Sequence, residues 1–155
     1  MAARKLGNID GRSNDVTMLL KVADGVTVTD GDFVYFASGR ITSASIAGQP
    51  LIGVVQETAV GNTAGTVEAL VNVDQTSKWL VDNDNVGTTF AASHVGTKFD
   101  LIGATGAQLS DTSSTSATTG QLFCVEYNPQ VDPVKTDVSQ GAFVISEHYF
   151  YPLGA

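Results

Sequence analysis

The sequence predicts an all-β protein of one domain, a sandwich or a barrel, and three observations carry that reading. Apolar side chains alternate with polar ones in short runs, which is the period of a strand and not of a helix. Turn chemistry separates these runs at spacings of roughly 8–12 residues. The densest of them, Gly31–Val55, reads GDFVYFASGRITSASIAGQPLIGVV, a strand, a short turn, a strand, a loop and a strand. This stretch is the expected seed of the core.

The first periodic segment is Val16–Val28. Val16, Met18, Leu20 and Val22 lie on one side of a period-2 pattern, Asp24-Gly25 punctuates it, and Val26 and Val28 resume it. Met-Leu-Leu-Lys are good helix formers, but the flanking Val16, Thr17 and Val22 and the lack of a cap favour a strand. Thr29–Asp32 is a turn in which Gly31 is free to take a positive φ. Phe33, Tyr35 and Ala37 then alternate with Val34, Phe36 and Ser38, so this strand is apolar on both faces. Such a strand is buried twice within its own chain, or one of its faces is an interface.

Ser38-Gly39-Arg40 turns the chain back into Ile41–Ile46, and 47–50 breaks it again. Pro50 has no amide to give a ladder, so the next strand starts at Leu51 and runs to Val55. Gly53 inside it marks a bulge or a close backbone approach. Thr66–Val73 alternates Val67, Ala69, Val71 and Val73, and Lys78–Val81 is short and carries the single tryptophan, Trp79. Lys98–Ile102 and Gly106–Leu109 are brief strands, Ser110–Gly120 is a polar low-complexity loop, and Gln121–Tyr127 and Gly141–Tyr151 are the clearest late strands. No boundary marks a second domain. The expected organisation is an extended arm over 1–15 and a β domain over 16–155.

With 155 residues the chain is long enough to bury roughly two-thirds of its unfolded surface, so it needs neither disulfide nor metal to fold. The lone cysteine, Cys124, sits in the apolar run Leu122–Val125 and reads as a buried small hydrophobe, consistent with a reducing cytosol. The N-terminal segment has cations but no apolar stretch after them, which argues against a secretory signal. No apolar run approaches the ~20 residues of a membrane span, and a soluble protein with no membrane partner is expected. Eight cations against sixteen acids give −8, which disfavours a nucleic-acid partner. The charge is unevenly placed: residues 1–12 carry +2 and the remainder −10. A basic arm that orders on a neighbour is one reading of this, and a frayed terminus is the other.

The chemistry-bearing residues do not assemble into a catalytic or cofactor motif. Asp82–Gly87 begins like a calcium loop, but its fifth position is Val86 and its twelfth Ser93, where the EF-hand requires a bidentate glutamate. His94 and His148 lack metal-ligand spacing, and Glu147 falls on the opposite strand face from its neighbour. There is no G-x-S-x-G elbow and no phosphate loop, since Gly103–Gly106 precedes no helix. Neither an enzyme nor a cofactor is expected. The aromatic residues serve mostly as core, but His148–Leu153 is too apolar on both faces for a solvated tail. That run is expected to pack against another subunit or to close the barrel.

The layout is familiar as a whole. A basic arm leads into G-D-F-V-Y-F at Gly31–Phe36, then a segment ending L-I-G-V-V-Q-E-T-A at Leu51–Ala59, then T-V-E-A-L-V-N-V at Thr66–Val73. Over Leu6–Val73 this resembles the head-decoration, or cement, proteins of tailed bacteriophages. The resemblance implies a small antiparallel β-barrel or β-tulip domain that forms a homotrimer. It also implies synthesis in the host cytoplasm and a place on the outer capsid surface, where such trimers stabilise contacts between capsomers. The major capsid protein would be the partner, and Arg4, Lys5 and Arg12 would be the arm residues that pair with its carboxylates. The subunit interface would draw on Phe33, Val34, Tyr35, Phe36, Tyr149, Phe150 and Tyr151. Two other classes fit the composition. One is a tail or fibre module, though no internal repeat is present. The other is a carbohydrate-binding β domain, which would need exposed aromatic residues beside convergent carboxylates.

Overall fold

The computed structural model describes residues 3–11, 14–44, 49–83, 92–102, 108–109, 120–127, 140–146 and 148–150. The fold is all-β, as the alternation predicts. Its strands are β1 (Arg4–Asn8), β2 (Thr17–Lys21), β3 (Thr27–Val28), β4 (Phe33–Ala37), β5 (Arg40–Ser43), β6 (Gly53–Val55) and β7 (Ala59–Val60). They continue as β8 (Glu68–Asn72), β9 (Ser77–Asn83), β10 (Lys98–Phe99), β11 (Leu101–Ile102), β12 (Gln108–Leu109), β13 (Leu122–Glu126) and β14 (Gln140–Ile145). One turn of 3-10 helix at Ala92–His94 is the only helical element among the described residues.

Two sheets and a ribbon result. The first has five strands in the order β2-β8-β6-β4-β5, and the second runs β10-β13-β14-β9-β12-β11 with β1 added beside β9. The two-stranded ribbon pairs β3 with β7. The five-stranded sheet curls until its outer strands meet at one bridge, Val22 beside Ile41, with the Ala23 amide donating to the Ile41 carbonyl at 2.9 Å. Pairing between strands is antiparallel, as expected, except between β9 and β12, which run parallel; the isolated bridges Val22–Ile41 and Leu51–His148 are parallel as well. The connection from β9 to β12 is long enough to carry the chain back so that both strands run the same way, which a tight hairpin cannot do.

Two apolar clusters explain why the five-stranded sheet forms. Phe33, Leu51 and Val54 point from one face into a core shared with Trp79, Val81, Phe99, Leu122, Cys124, Phe143 and Ile145 of the larger sheet. Val34, Ile41, Ile52, Val55, Ala69 and Val71 fill the other face, beneath Val22 and Val28. The double-faced character of Phe33–Ala37 is therefore resolved within one chain. Phe33 and Val34 are both fully buried, so the assignment of these two residues to a subunit interface is corrected.

The segment Leu51–Val55 shows how close that packing is. Strict alternation would put Leu51, Gly53 and Val55 on one face, yet Leu51 and Val54 share one core and Ile52 and Val55 the other. The phase slips at Gly53. Gly53 is the register partner of Val34 while the Ile52 amide donates to the Val34 carbonyl at 2.9 Å, so two residues oppose one and a bulge results. On the other side the backbone of Asn72 comes so near that a Cβ at position 53 would stand 1.9 Å from its carbonyl oxygen. Both features anticipated for this glycine are present.

The hairpin joining β4 to β5 has a two-residue loop, Ser38-Gly39, between the paired residues Ala37 and Arg40. Both loop residues have positive φ, 51° and 79°, the signature of a type I′ turn whose twist matches that of the strands. Ser38 is the only non-glycine with positive φ among the described residues.

At the N-terminus the structure departs from the expected free arm. Ala3 is buried, its amide donates to the Gly31 carbonyl at 3.0 Å, and Arg4–Asn8 pairs antiparallel with β9. Residues 3–8 thus belong to the body, which corrects the boundary at residue 15. The cause is backbone pairing: a β9 edge open beside Ser77–Leu80 accepts any extended segment, with little demand on its side chains. The last strand is also shorter than expected, since β14 ends at Ile145 and not at Tyr151.

Two substitutions test these points by chemical denaturation. Gly53→Ala lowers stability by at least about 2 kcal/mol, because ladder backbone cannot retreat from the added methyl. Ser38→Asn raises it by about half a kcal/mol, because asparagine tolerates the left-handed conformation better than serine.

Candidate interaction surface

The residues singled out for binding lie in three places. Arg4 and Lys5 sit on β1, opposite Leu80 and Trp79 of β9. Arg4 is exposed and Lys5 half-buried. The Lys5 ammonium forms an ion pair with Asp15, across the ten residues that separate them in sequence. Partial burial draws the Lys5 pKa down, and the charge of Asp74 opposes that shift. The basic cluster is therefore fastened to the body at one of its members. Arg12 lies outside the described residues.

The aromatic candidates divide by face. Phe33 packs edge-on against Trp79 at 6.4 Å, deep in the shared core, and Tyr35 lies half-buried against the same cluster. Phe36 turns the other way, and there the fold joins it to residues more than a hundred positions later. Its ring meets Tyr149 at 5.1 Å and Phe150 at 6.3 Å, and Tyr149 and Phe150 meet each other at 5.4 Å, all edge to face. This geometry is the favoured one for aromatic quadrupoles. Tyr149 is 54% exposed and Phe150 38%, so the three rings form an aromatic patch on the surface. Tyr151 lies outside the described residues.

The C-terminal segment reaches that position through a short extension of the sheet. His148 bridges Leu51 in parallel, and the Tyr149 amide donates to the Leu51 carbonyl at 2.7 Å. Residues 148–150 of the run His148–Leu153 thus lie against the smaller sheet of their own chain, with Tyr149 and Phe150 still partly exposed. The segment leaves the larger sheet at Ile145 and lands on the smaller one, so it ties the two together.

His148 is the residue whose environment the sequence concealed. It is 1% exposed, and the Phe150 amide donates to its Nδ1 at 3.2 Å. Burial depresses its pKa below 6.5, opposed by a hydrogen bond with the Val73 backbone and by the charge of Asp74. Around it the corner between β8 and β9 is built from polar groups. Asn72 Oδ1 accepts from the Asp74 amide at 2.9 Å and Asp74 Oδ1 accepts from the Thr76 amide at 2.9 Å, while Asn8 Nδ2 donates to Thr76 Oγ1 at 3.1 Å. These successive Asx turns give the chain's passage from one sheet to the other a defined bend. Asp32 does similar work at the turn before β4, its Oδ2 accepting from the Thr29 amide at 2.9 Å and from Ser43 Oγ at 2.8 Å. Its burial pushes that carboxyl above the usual range, against these hydrogen bonds.

The remaining candidates take structural roles. Cys124 is buried as expected, and desolvation pushes its thiol up to about 11, which leaves it a poor nucleophile at neutral pH. Trp79 is 2% exposed and offers no face for stacking a sugar. His94 packs edge-on against Phe99 at 5.8 Å. No cluster of three potential metal ligands occurs among the described residues; positions 84–87 of the calcium-like segment lie outside them. No helix among the described residues is long and apolar enough to cross a membrane. No protein-family model matches the chain, and no curated protein matches it either.

The burial of His148 sets a pH dependence. The unfolded chain binds a proton at this site near pH 6.5 and the folded chain resists it, so the contribution is intact above pH 6.5 and is lost as pH falls from there towards the depressed folded value. Denaturation midpoints measured at pH 7.5 and 5.5 will show wild type losing more stability over that interval than His148→Gln; equal losses would mean that His148 is not the group responsible. Asp32 acts in the opposite sense at lower pH, since its raised carboxyl favours the fold as it protonates.

Proposed function

We propose that this protein is a structural component of a tailed-phage virion, a decoration module that binds the outer face of the capsid as a trimer and strengthens contacts between capsomers. The observation that carries the reading is the surface aromatic patch of Phe36, Tyr149 and Phe150 on a doubly packed β body. Exposed rings in contact with one another are the kind of anchor that protein interfaces use, because they bury large area at low entropic cost. The pattern from Gly31 to Val73 that resembles cement proteins falls on β4 to β8, and β4 carries Phe36 of this patch.

A decoration protein gains from such a build. Its copies act at many lattice points, so a modest affinity per contact is multiplied by repetition. A sheet packed on both faces holds its binding residues in place and limits the ordering cost of each contact. The basic residues Arg4 and Lys5 lie on a paired strand, so they are presented to the capsid by the body and not by a loose arm. Exposed ion pairs of this kind contribute up to about 1 kcal/mol each, which places most of the binding on apolar contact. The burial of Trp79 favours this reading over a sugar-binding domain organised around that residue.

Electron microscopy of the purified protein mixed with expanded capsids, alongside its mass in solution, tests the proposal. Wild type is expected to show added density at threefold or quasi-threefold positions and a mass three times the 16.1 kDa chain. Tyr149→Ser/Phe150→Ser is expected to keep its circular dichroism spectrum and lose capsid binding or the trimer. Bare capsids with the wild-type protein would overturn the proposal, and a hit in a glycan screen would favour the carbohydrate-binding alternative.

A further inference from the structure

The stripe Val16-Met18-Leu20-Val22 begins inside the protein and ends outside it. Val22 is fully buried in the second core and Leu20 packs on its margin, but Met18 is 40% exposed and Val16 44%. Leu19, on the opposite face, is 60% exposed. β2 is an outer strand of the five-stranded sheet, paired with β8 on one side and with no strand on the other among the described residues. An apolar outer strand without proline or a central charge is what natural sheets avoid unless something covers it.

The hydrogen bonds define which backbone groups face outward. The Val73 amide donates to the Val16 carbonyl at 2.9 Å and the Val22 amide to the Val67 carbonyl at 3.0 Å. Residues 16, 18, 20 and 22 thus direct their polar groups at β8, and Thr17, Leu19 and Lys21 direct theirs away from it. The next outward residue, Ala23, has already given its amide to Ile41. The open edge therefore ends at Lys21, and with the Asp15 start of the segment it reads Asp-Val-Thr-Met-Leu-Leu-Lys.

We propose that this edge pairs with the same edge of a second copy, antiparallel about a twofold axis at Met18. That register places Met18 opposite Met18, Thr17 opposite Leu19, Val16 opposite Leu20 and Asp15 opposite Lys21. Outward groups then meet outward groups throughout, and each end of the ribbon brings Lys21 of one copy to Asp15 of the other, whose carboxylate then bridges two ammonium groups, since it also pairs with Lys5 of its own chain. A register two residues further on, centred on Leu19, would set Lys21 against Thr17 and bring Asp15 to Ala23, whose amide is occupied. A shift of one residue would oppose outward groups to inward ones. Charge complementarity and hydrogen bonding select the same alignment, and the alignment covers Val16, Met18 and Leu20 on one face and Leu19 on the other.

This contact is isologous and twofold, separate from the threefold association of the proposed trimer, and it is a property of the free protein. Seven residues of strand make a small interface beside the 1,200–2,000 Å² typical of stable complexes, so the association is concentration-dependent. Cross-linking is the direct test. Across a non-hydrogen-bonded antiparallel pair the α-carbons stand about 4.5 Å apart, within disulfide range. Met18→Cys is expected to form a disulfide-linked dimer under mild oxidation, several times faster than Leu19→Cys, while wild type with its buried Cys124 forms none. Lys21→Asp in the Met18→Cys background slows the linkage, and adding Asp15→Lys restores it. Folded Met18→Cys that stays reduced, or that links no faster than Leu19→Cys, would overturn the proposal; the edge would then be covered by another segment or a foreign strand. As a second measure, Leu19→Lys, at a surface position that leaves the core untouched, should halve the sedimentation mass at high concentration. An unchanged mass would count equally against the pairing.

Discussion

A strand with large apolar side chains on both faces needs two cores, and β4 is such a strand. Phe33 enters the layer between the sheets and Val34 enters the curl of the smaller sheet. The rest of the architecture follows from serving both. The larger sheet supplies Trp79, Phe99 and Phe143 to cover Phe33, and the β3-β7 ribbon lies over the opposite side with Val28. Because β6 must also contribute to each core from three residues, its alternation slips at Gly53, and only glycine permits the accompanying approach of the Asn72 carbonyl.

Between the two sheets the chain crosses at the β8–β9 corner, and that crossing is held by polar groups instead of apolar ones. Asn72, Asp74 and Ser77 are buried there; Asn72 and Asp74 accept from backbone amides that no ladder reaches, and Ser77 Oγ donates to Asn72 Oδ1. Asn8 of β1 joins the same network through Thr76, which is why the N-terminal strand is ordered without much apolar content of its own. The charge of Asp74 reaches Lys5 and His148 together, so the first strand and the last described segment share one electrostatic centre.

Among the apolar groups that stay outside these cores in the described residues are the rings of Phe36, Tyr149 and Phe150 and the outer edge of β2. They differ in kind. The aromatic patch gathers side chains that are distant in sequence and offers area, whereas the β2 edge is a single continuous segment and offers directed hydrogen bonds as well. An oligomer that used both would have two contacts of different symmetry, which is how small modules build extended arrays.

Much of the fold was legible in the residues. Period-2 runs between glycine, proline and aspartate turns identify β2, β4, β5, β8, β13 and β14, because local alternation needs no partner to be visible. Gly53, Gly31 and Cys124 were readable for the same reason, each being conspicuous against its neighbours. The roles of residues 3–8 and of His148 were not, since a strand held by its backbone leaves no side-chain pattern and a histidine shows nothing of what surrounds it. The candidate site was half legible: Phe36, Tyr149 and Phe150 stood out as surplus apolar residues, but Phe33 and Val34 stood out equally. The sequence by itself determined that β4 had two apolar faces. Only the tertiary structure decided that both are covered within one chain, because covering them depends on where Trp79 and Phe143, Ile41 and Val71 arrive in space, and that is a matter of long-range pairing.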